Sequence, residues 1–252
     1  MPLIERLVVS ISPAWVAVFV WLGVSGALGA SAAAAGVTVD FGASHPSTEV
    51  REVADWILRT QDAGGRAWVI VDKKQARIFV LGPTGRLLGA APVLLGSARG
   101  DHTVPGIGDR PLSKIRPDER TTPAGRFMAE PGVNAQGEDI VWVDYDAAVS
   151  MHRVRTRVKA ERRLHRLVSP TPQDNRISYG CINLPRHFYE SVLAPQARAG
   201  AVVYVLPEIR THRDVFGMSE AAPPSRPASA RDAGTVRHGL RTFTDGSELA
   251  DH

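Results

Sequence analysis

Apolar positions dominate the start of the chain. Residues 7–28 are almost continuously hydrophobic, interrupted by Ser and Pro, behind Arg6 and ahead of the small-residue stretch 29–36. A basic start, an apolar stretch and an A-x-A-like end describe a secretory signal, with cleavage expected near Ala33 or Ala35. The run is also long enough to span a bilayer, and Glu5 weakens the basic start, so an uncleaved anchor is the alternative. Either reading exports the remainder, to the periplasm or cell envelope.

The period then changes. Residues 36–46 read as a linker. Ser47 is a capping residue type, and Val50, Val53, Ala54, Ile57 and Leu58 follow at helical spacing, with Gly64-Gly65 beyond. This predicts an amphipathic helix that packs on a core. From residue 66 to 207 the runs are short and strand-like: 67–71, 76–81, 86–96, 125–129, 140–145, 148–154 and 201–206. Gly82-Pro83-Thr84-Gly85 reads as a hairpin turn. Residues 97–122 are polar and rich in Gly and Pro, a long loop of the kind that forms lids or binding surfaces. Residues 185–193 predict a short helix. The expected fold is mainly β, a sandwich or barrel-like domain over 66–207 with one or two short helices. Residues 208–252, with the Ala/Pro/Ser stretch 221–230, read as a mostly disordered tail.

Charge changes this picture little. The formal net charge is +4, mildly basic. Residues 153–166 concentrate it: Arg153, Arg155, Arg157, Lys159, Arg162, Arg163 and Arg166 stand against Glu161 alone. Such a run is either a solvated face or a site for an anionic partner. No aromatic residues interleave it, which argues against nucleic acid.

The chain holds one cysteine, so no intramolecular disulfide can form. A lone thiol in an exported protein is either a buried small hydrophobe or a nucleophile. Its neighbours favour the nucleophile. Gly180 permits a sharp turn and close substrate approach before Cys181. The helix predicted from Pro185 would favour the thiolate through its N-terminal dipole. The backbone N–H groups of Tyr179, Gly180 and Cys181 could form an oxyanion hole. Acyl transfer through a thioester needs these parts and a base. The candidates are His152, which ends an apolar strand, His165 inside the basic segment, and His187 on the predicted helix.

Ser178-Tyr179-Gly180-Cys181-Ile182-Asn183 resembles the signature of L,D-transpeptidases, the YkuD-like family. That signature is a strand His, a gap, then Ser or Thr, usually His, Gly-Cys, an apolar residue and Arg or Asn. Residues 71–80 resemble the family's opening strand pair, and Thr121-Thr122-Pro123-Ala124-Gly125-Arg126-Phe127 its Thr-Pro-x-Gly-x-Phe element. The resemblance spans residues 67–206. It implies a β-sandwich-like catalytic domain in which Cys181 attacks the third residue of a peptidoglycan tetrapeptide stem and releases D-Ala. A neighbouring stem amine then takes the acyl group; an envelope protein as acceptor stays open, and water would make a carboxypeptidase. By position, Cys181 is the nucleophile and His152 the base and acid. Ser178 positions the loop, and Asn183 supports the site or substrate. No metal or organic cofactor is implied.

Three departures stand out. Tyr179 occupies the usual His position, and Arg153 follows His152 where Gly or Ser is common. His152 precedes Ser178 by 26 residues, a longer gap than usual, whereas His165 precedes it by 13. His152 is preferred because it ends an apolar strand and residues 153–168 form a coherent polar insertion, a potential lid. His165 remains the alternative base. A catalytically silent envelope-binding protein is the reading from another class.

Overall fold

The computed structural model describes residues 38–218. The expected signal or anchor lies outside the described residues, as does the chain beyond Met218. No helix among the described residues is long and apolar enough to cross a membrane.

Ser47 caps helix α1 (Thr48–Thr60) by accepting the Val50 N–H, and the predicted stripe of Val50, Val53, Ala54 and Ile57 is buried. The helix stops before Gly64-Gly65, because Gln61 already adopts the left-handed conformation. Strands β1 (Trp68–Asp72), β2 (Arg77–Leu81) and β3 (Leu87–Pro92) form an antiparallel run. The expected continuous strand 86–96 is instead two pieces. Pro92 offers no ladder donor, and the chain leaves the sheet there for β4 (Leu95–Gly96).

β5 (Gly125–Met128), β6 (Glu130–Val133), β7 (Asp139–Asp144) and β8 (Val149–Arg153) follow the long loop. β9 (Arg176–Ser178), β10 (Ile182–Leu184) and β11 (Val202–Val205) complete the strands. They assemble as a five-stranded sheet, β3-β2-β1-β11-β5, a four-stranded sheet, β10-β8-β7-β6, and the pair β4-β9. β6 escaped the sequence reading because Pro131 and Gly132 interrupt it; it lies at a sheet edge, where proline is tolerated.

The sheets face each other across one core: Val69, Val71, Ile78 and Val80 from the first meet Val141, Met151, Ile182 and Leu184 from the second. The protein is thus mainly β, a sandwich with short helices. The other face of the first sheet is covered by α1, which makes β1 and β11 apolar on both sides. The predicted helix is longer than expected. α3 (Arg186–Phe188) runs through a π turn, Tyr189–Leu193, into α4 (Ala194–Arg198). Pro195 has no N–H to offer the carbonyl four residues back, which accommodates the π turn.

Both predicted flanks need correction. Val39 and Phe41, in the expected linker, are buried in the second core. The expected tail is ordered at its start. The Asp101 carboxylate accepts the N–H groups of Glu208, Ile209 and Arg210 at 2.6, 2.9 and 2.8 Å. Helix α5 (His212–Phe216) then stacks Phe216 on Trp56. The low-complexity composition begins only after these contacts.

The 97–122 loop is pinned rather than free. The fully buried Lys73 amine donates to the Gly100 and Thr122 carbonyls at 2.5 and 2.9 Å and pairs with Asp101 at 3.1 Å. Three single 3-10 turns, Ile107–Asp109, Leu112–Lys114 and Pro117–Glu119, give it local structure.

Candidate active site

Cys181 stands at the mouth of the second sheet, between β9 and β10. β10 runs parallel to β8, with Ile182 opposite Met151 and Asn183 opposite His152. Alternation along both strands therefore puts Cys181, Asn183, Ser150 and His152 on one face. Cys181 Sγ donates to the Ala148 carbonyl at 3.6 Å and lies 3.7 Å from Ser150 Oγ. His152 sits on the diagonal, about 7–8 Å from Cys181 between Cα atoms, a span that long side chains bridge.

The turn before the thiol is held from both sides. Ser178 Oγ donates to the Cys181 carbonyl at 2.6 Å and accepts the Gly180 N–H at 3.1 Å. Thr122 Oγ1 donates to the Gly180 carbonyl at 2.8 Å and accepts the Gly96 N–H at 2.9 Å. Gly180 has φ 134°, and a Cβ there would stand 2.8 Å from the Thr121 carbonyl oxygen. No other residue fits this position without moving the backbone. Tyr179 is half-exposed, with the Arg120 guanidinium 4.1 Å over its ring.

Two sequence expectations change here. The Gly180 N–H is committed to Ser178, so of the three oxyanion candidates only the Tyr179 and Cys181 N–H groups lack a hydrogen-bond partner among the described residues. The expected helix N-terminus is not at the thiol. β10 intervenes, and α3 begins after Pro185, roughly 13 Å along the chain at strand rise. A helix dipole fades within its first turn, so it does not act on Cys181.

His152 is largely buried, and its surroundings define its tautomer. Nδ1 lies 2.8 Å from the Arg153 carbonyl oxygen and must carry the proton. Nε2 lies 3.4 Å from Asn183 Nδ2. Asn183 is fully buried, and its Oδ1 accepts from Arg163 Nη1 at 2.5 Å. A guanidinium only donates, so the amide oxygen faces Arg163 and its NH₂ faces His152. Nε2 therefore presents its lone pair. Burial pushes the imidazole pKa down to about 4, and the Arg155 and Arg163 charges act in the same direction. At neutral pH His152 is an uncharged base form.

Cys181, His152, Ser178, Tyr179 and Asn183 line one cleft of about 250 Å³, walled by Arg163 from the insertion and Leu112 from the long loop. His152 also borders a second cleft of about 400 Å³ with Glu138, Arg153, Arg155 and Arg186. The structure does not bring the other histidines here. His165 is exposed on α2 (Arg163–Leu167), and His187 is exposed on α3. Part of the basic run is ion-paired: Arg153 with Asp139 and Glu190, Arg155 with Glu138 and Arg163 with Glu161.

Sequence reasoning missed Arg163, Thr122 and Ser150. Thr122 belongs to the Thr121–Phe127 element, but nothing local tells that its hydroxyl reaches Gly180. Arg163 was one of seven basic residues in a run, with no signal to separate it. Ser150 had one, its alternation with His152 along β8.

No protein-family model matches the chain, and no curated protein matches it. Among solved structures it is similar to the catalytic domain of an L,D-transpeptidase from E. faecium, at 14% identity and TM-score 0.36, over 56% of this chain and 98% of that one. It is similar to a cysteine-to-serine mutant of Enterococcus faecium L,D-transpeptidase at 16% identity and TM-score 0.30, over 56% and 50%. A third likeness is to an L,D-transpeptidase in complex with imipenem, at 15% identity and TM-score 0.32, over 56% and 58%. The chain thus spans nearly all of the first and about half of the others.

Proposed function

We propose that this protein is an exported cysteine acyltransferase of the L,D-transpeptidase type that joins peptidoglycan stem peptides through a Cys181 thioester. The observation that carries the reading is the shared cleft of Cys181, His152 and Asn183 on paired strands, with His152 Nε2 unprotonated and its lone pair met only by the Asn183 amide at 3.4 Å. The Cys181 sulfur attacks the carbonyl of the third stem residue as its proton passes to His152 Nε2. The Tyr179 and Cys181 N–H groups face the developing oxyanion. Collapse breaks the peptide bond, and the departing D-Ala nitrogen takes the proton back from His152. An acceptor amine then attacks the thioester, gives its proton to His152 and restores the thiol. The second cleft beside His152 provides a separate approach for that acceptor.

Water in place of the amine would give an L,D-carboxypeptidase with the same residues. The test is intact-protein mass after incubation with a carbapenem, using the exported portion and Cys181→Ala as control. A β-lactam is an acyl donor to an activated thiol, so a covalent adduct absent from the control is expected. No adduct, with Cys181 also inert to a small alkylating agent, would overturn the enzyme reading in favour of a silent envelope-binding protein. Product analysis with two tetrapeptides then separates cross-linking from hydrolysis.

A further inference from the structure

A cleft of about 440 Å³ reaches Ala148 beside the thiol, at the end of β7 and β8 opposite His152's second cleft, and the chemistry above does not use it. It is lined by Gly108 and Asp109 of the long loop and by Trp142, Tyr145, Asp146 and Ala148 of β7 and its following turn. Ala148 is the link to the site, because its carbonyl accepts from Cys181 Sγ. Strand register locates the cleft further. Trp142 is opposite Ser150, and Ser150 Oγ is 3.7 Å from the Cys181 sulfur. Trp142, Ser150 and Cys181 therefore lie in a row across one sheet face. Two strand spacings separate the first from the last, about 10 Å.

The aromatic pair is built as a rigid corner. The Trp142 indole lies over Gly132 of β6, where a Cβ would come within 2.5 Å of its Nε1. Tyr145 meets the indole at 5.1 Å between centroids and 69° between planes, yet is 71% exposed. Gly108 brings the long loop against the same turn; a Cβ there would stand 2.3 Å from the Asp146 carbonyl oxygen. Exposed, immobilised aromatic surface in a cleft marks a binding site. The acids differ from those around the basic insertion. Glu138, Asp139 and Glu161 are paired with arginines, whereas the Asp109 and Asp146 carboxylates make no ion pair or hydrogen bond among the described residues. No arginine or lysine lines this cleft, so it is unsuited to a phosphate or carboxylate. Flat aromatic faces with uncommitted acceptors suit a pyranose, whose C–H face stacks while its hydroxyl and acetamido groups donate.

We propose that the Trp142–Tyr145 corner binds a sugar ring of the glycan strand that carries the stem peptide. This rests on the reading of Cys181 as acting on such stems. The lengths agree: the acylated residue is the third from the sugar, and three residues extended at 3.3–3.6 Å each reach about 10 Å.

The test uses the Cys181→Ala protein, so that no chemistry intervenes. The probes are the peptide-free disaccharide of N-acetylglucosamine and N-acetylmuramic acid, the free tetrapeptide and the disaccharide-tetrapeptide. We expect the disaccharide to shift the Trp142 indole N–H resonance. We expect the disaccharide-tetrapeptide to bind about 10-fold tighter than the tetrapeptide, and Tyr145→Ala, at an exposed position, to abolish that gain. Equal affinities, or disaccharide shifts unaltered by Tyr145→Ala, would overturn the proposal. Disaccharide binding without tetrapeptide binding would uphold the sugar site and count against the stem-peptide reading instead.

Discussion

Arg163 donates a 2.5 Å hydrogen bond to the side-chain oxygen of Asn183, and so ties the basic insertion to the strand that follows Cys181. Because Asn183 Nδ2 faces His152 Nε2, this bond orients the amide that meets the imidazole. Arg163→Ala should lower the rate of Cys181 acylation about tenfold, the scale of one hydrogen bond to a charged group. Loss of the nearby cation should also raise the His152 pKa. A pH–rate profile reads both, and unchanged rate and profile would show that Asn183 is oriented without Arg163.

Cys181→Ala should abolish acyl transfer while leaving the fold intact, since the thiol is only partly buried. His152→Ala should cost about 10²- to 10⁴-fold, the usual contribution of a general acid–base. His165→Ala should leave the rate unchanged, because that side chain is exposed outside the cleft. A larger loss from His165→Ala than from His152→Ala would reverse the assignment of the base.

His152 makes stability depend on pH. Its folded pKa, about 4, lies below the ordinary value of 6.5. Between these the unfolded chain binds the extra proton, so stability is complete above about pH 6.5 and falls as pH drops towards 4. The full effect is on the order of 3 kcal/mol. Urea denaturation at neutral pH and at about pH 4.5 should show this loss, and His152→Gln should reduce it. An identical loss in His152→Gln would assign it to other groups.

Lys73 is a buried cation between Asp101 and Glu208, at 3.1 and 3.8 Å. Burial lowers the amine's pKa, while Asp101, held down to about 2 by three backbone N–H groups and Lys73, stays ionised. Lys73→Met should strand these carboxylates and destabilise the protein by about 3–5 kcal/mol. Thermal unfolding should report it, and adding Asp101→Asn should recover part. Since Lys73 also holds the Thr122 carbonyl, Cys181 acylation should slow in the single variant.

Much of the fold was legible because its signals are local. The Ser47 cap, the stripe of α1, the turn at Gly82–Gly85 and the apolar runs of β1, β2, β7 and β11 each rest on neighbours within a few residues. What failed were junctions. Pro92 breaks a run whose hydrophobicity continues, and Glu208–Phe216 is polar in sequence yet anchored by Asp101, more than a hundred residues earlier. Gly180 was legible as a sharp turn, because only glycine tolerates that backbone. The distance from thiol to helix was not, since three residues of strand and three of helix look alike at that length.

By itself the sequence determined the mainly β class, the position of Cys181 and the short set of residues from which a base could come. Tertiary structure alone decided which histidine shares the cleft, which way its lone pair points and which of seven basic residues holds Asn183. The reason is physical. Alternation and turn chemistry are properties of adjacent residues, whereas a site is made by strand register, and parallel pairing of β8 with β10 joins His152 to Asn183 across 31 residues.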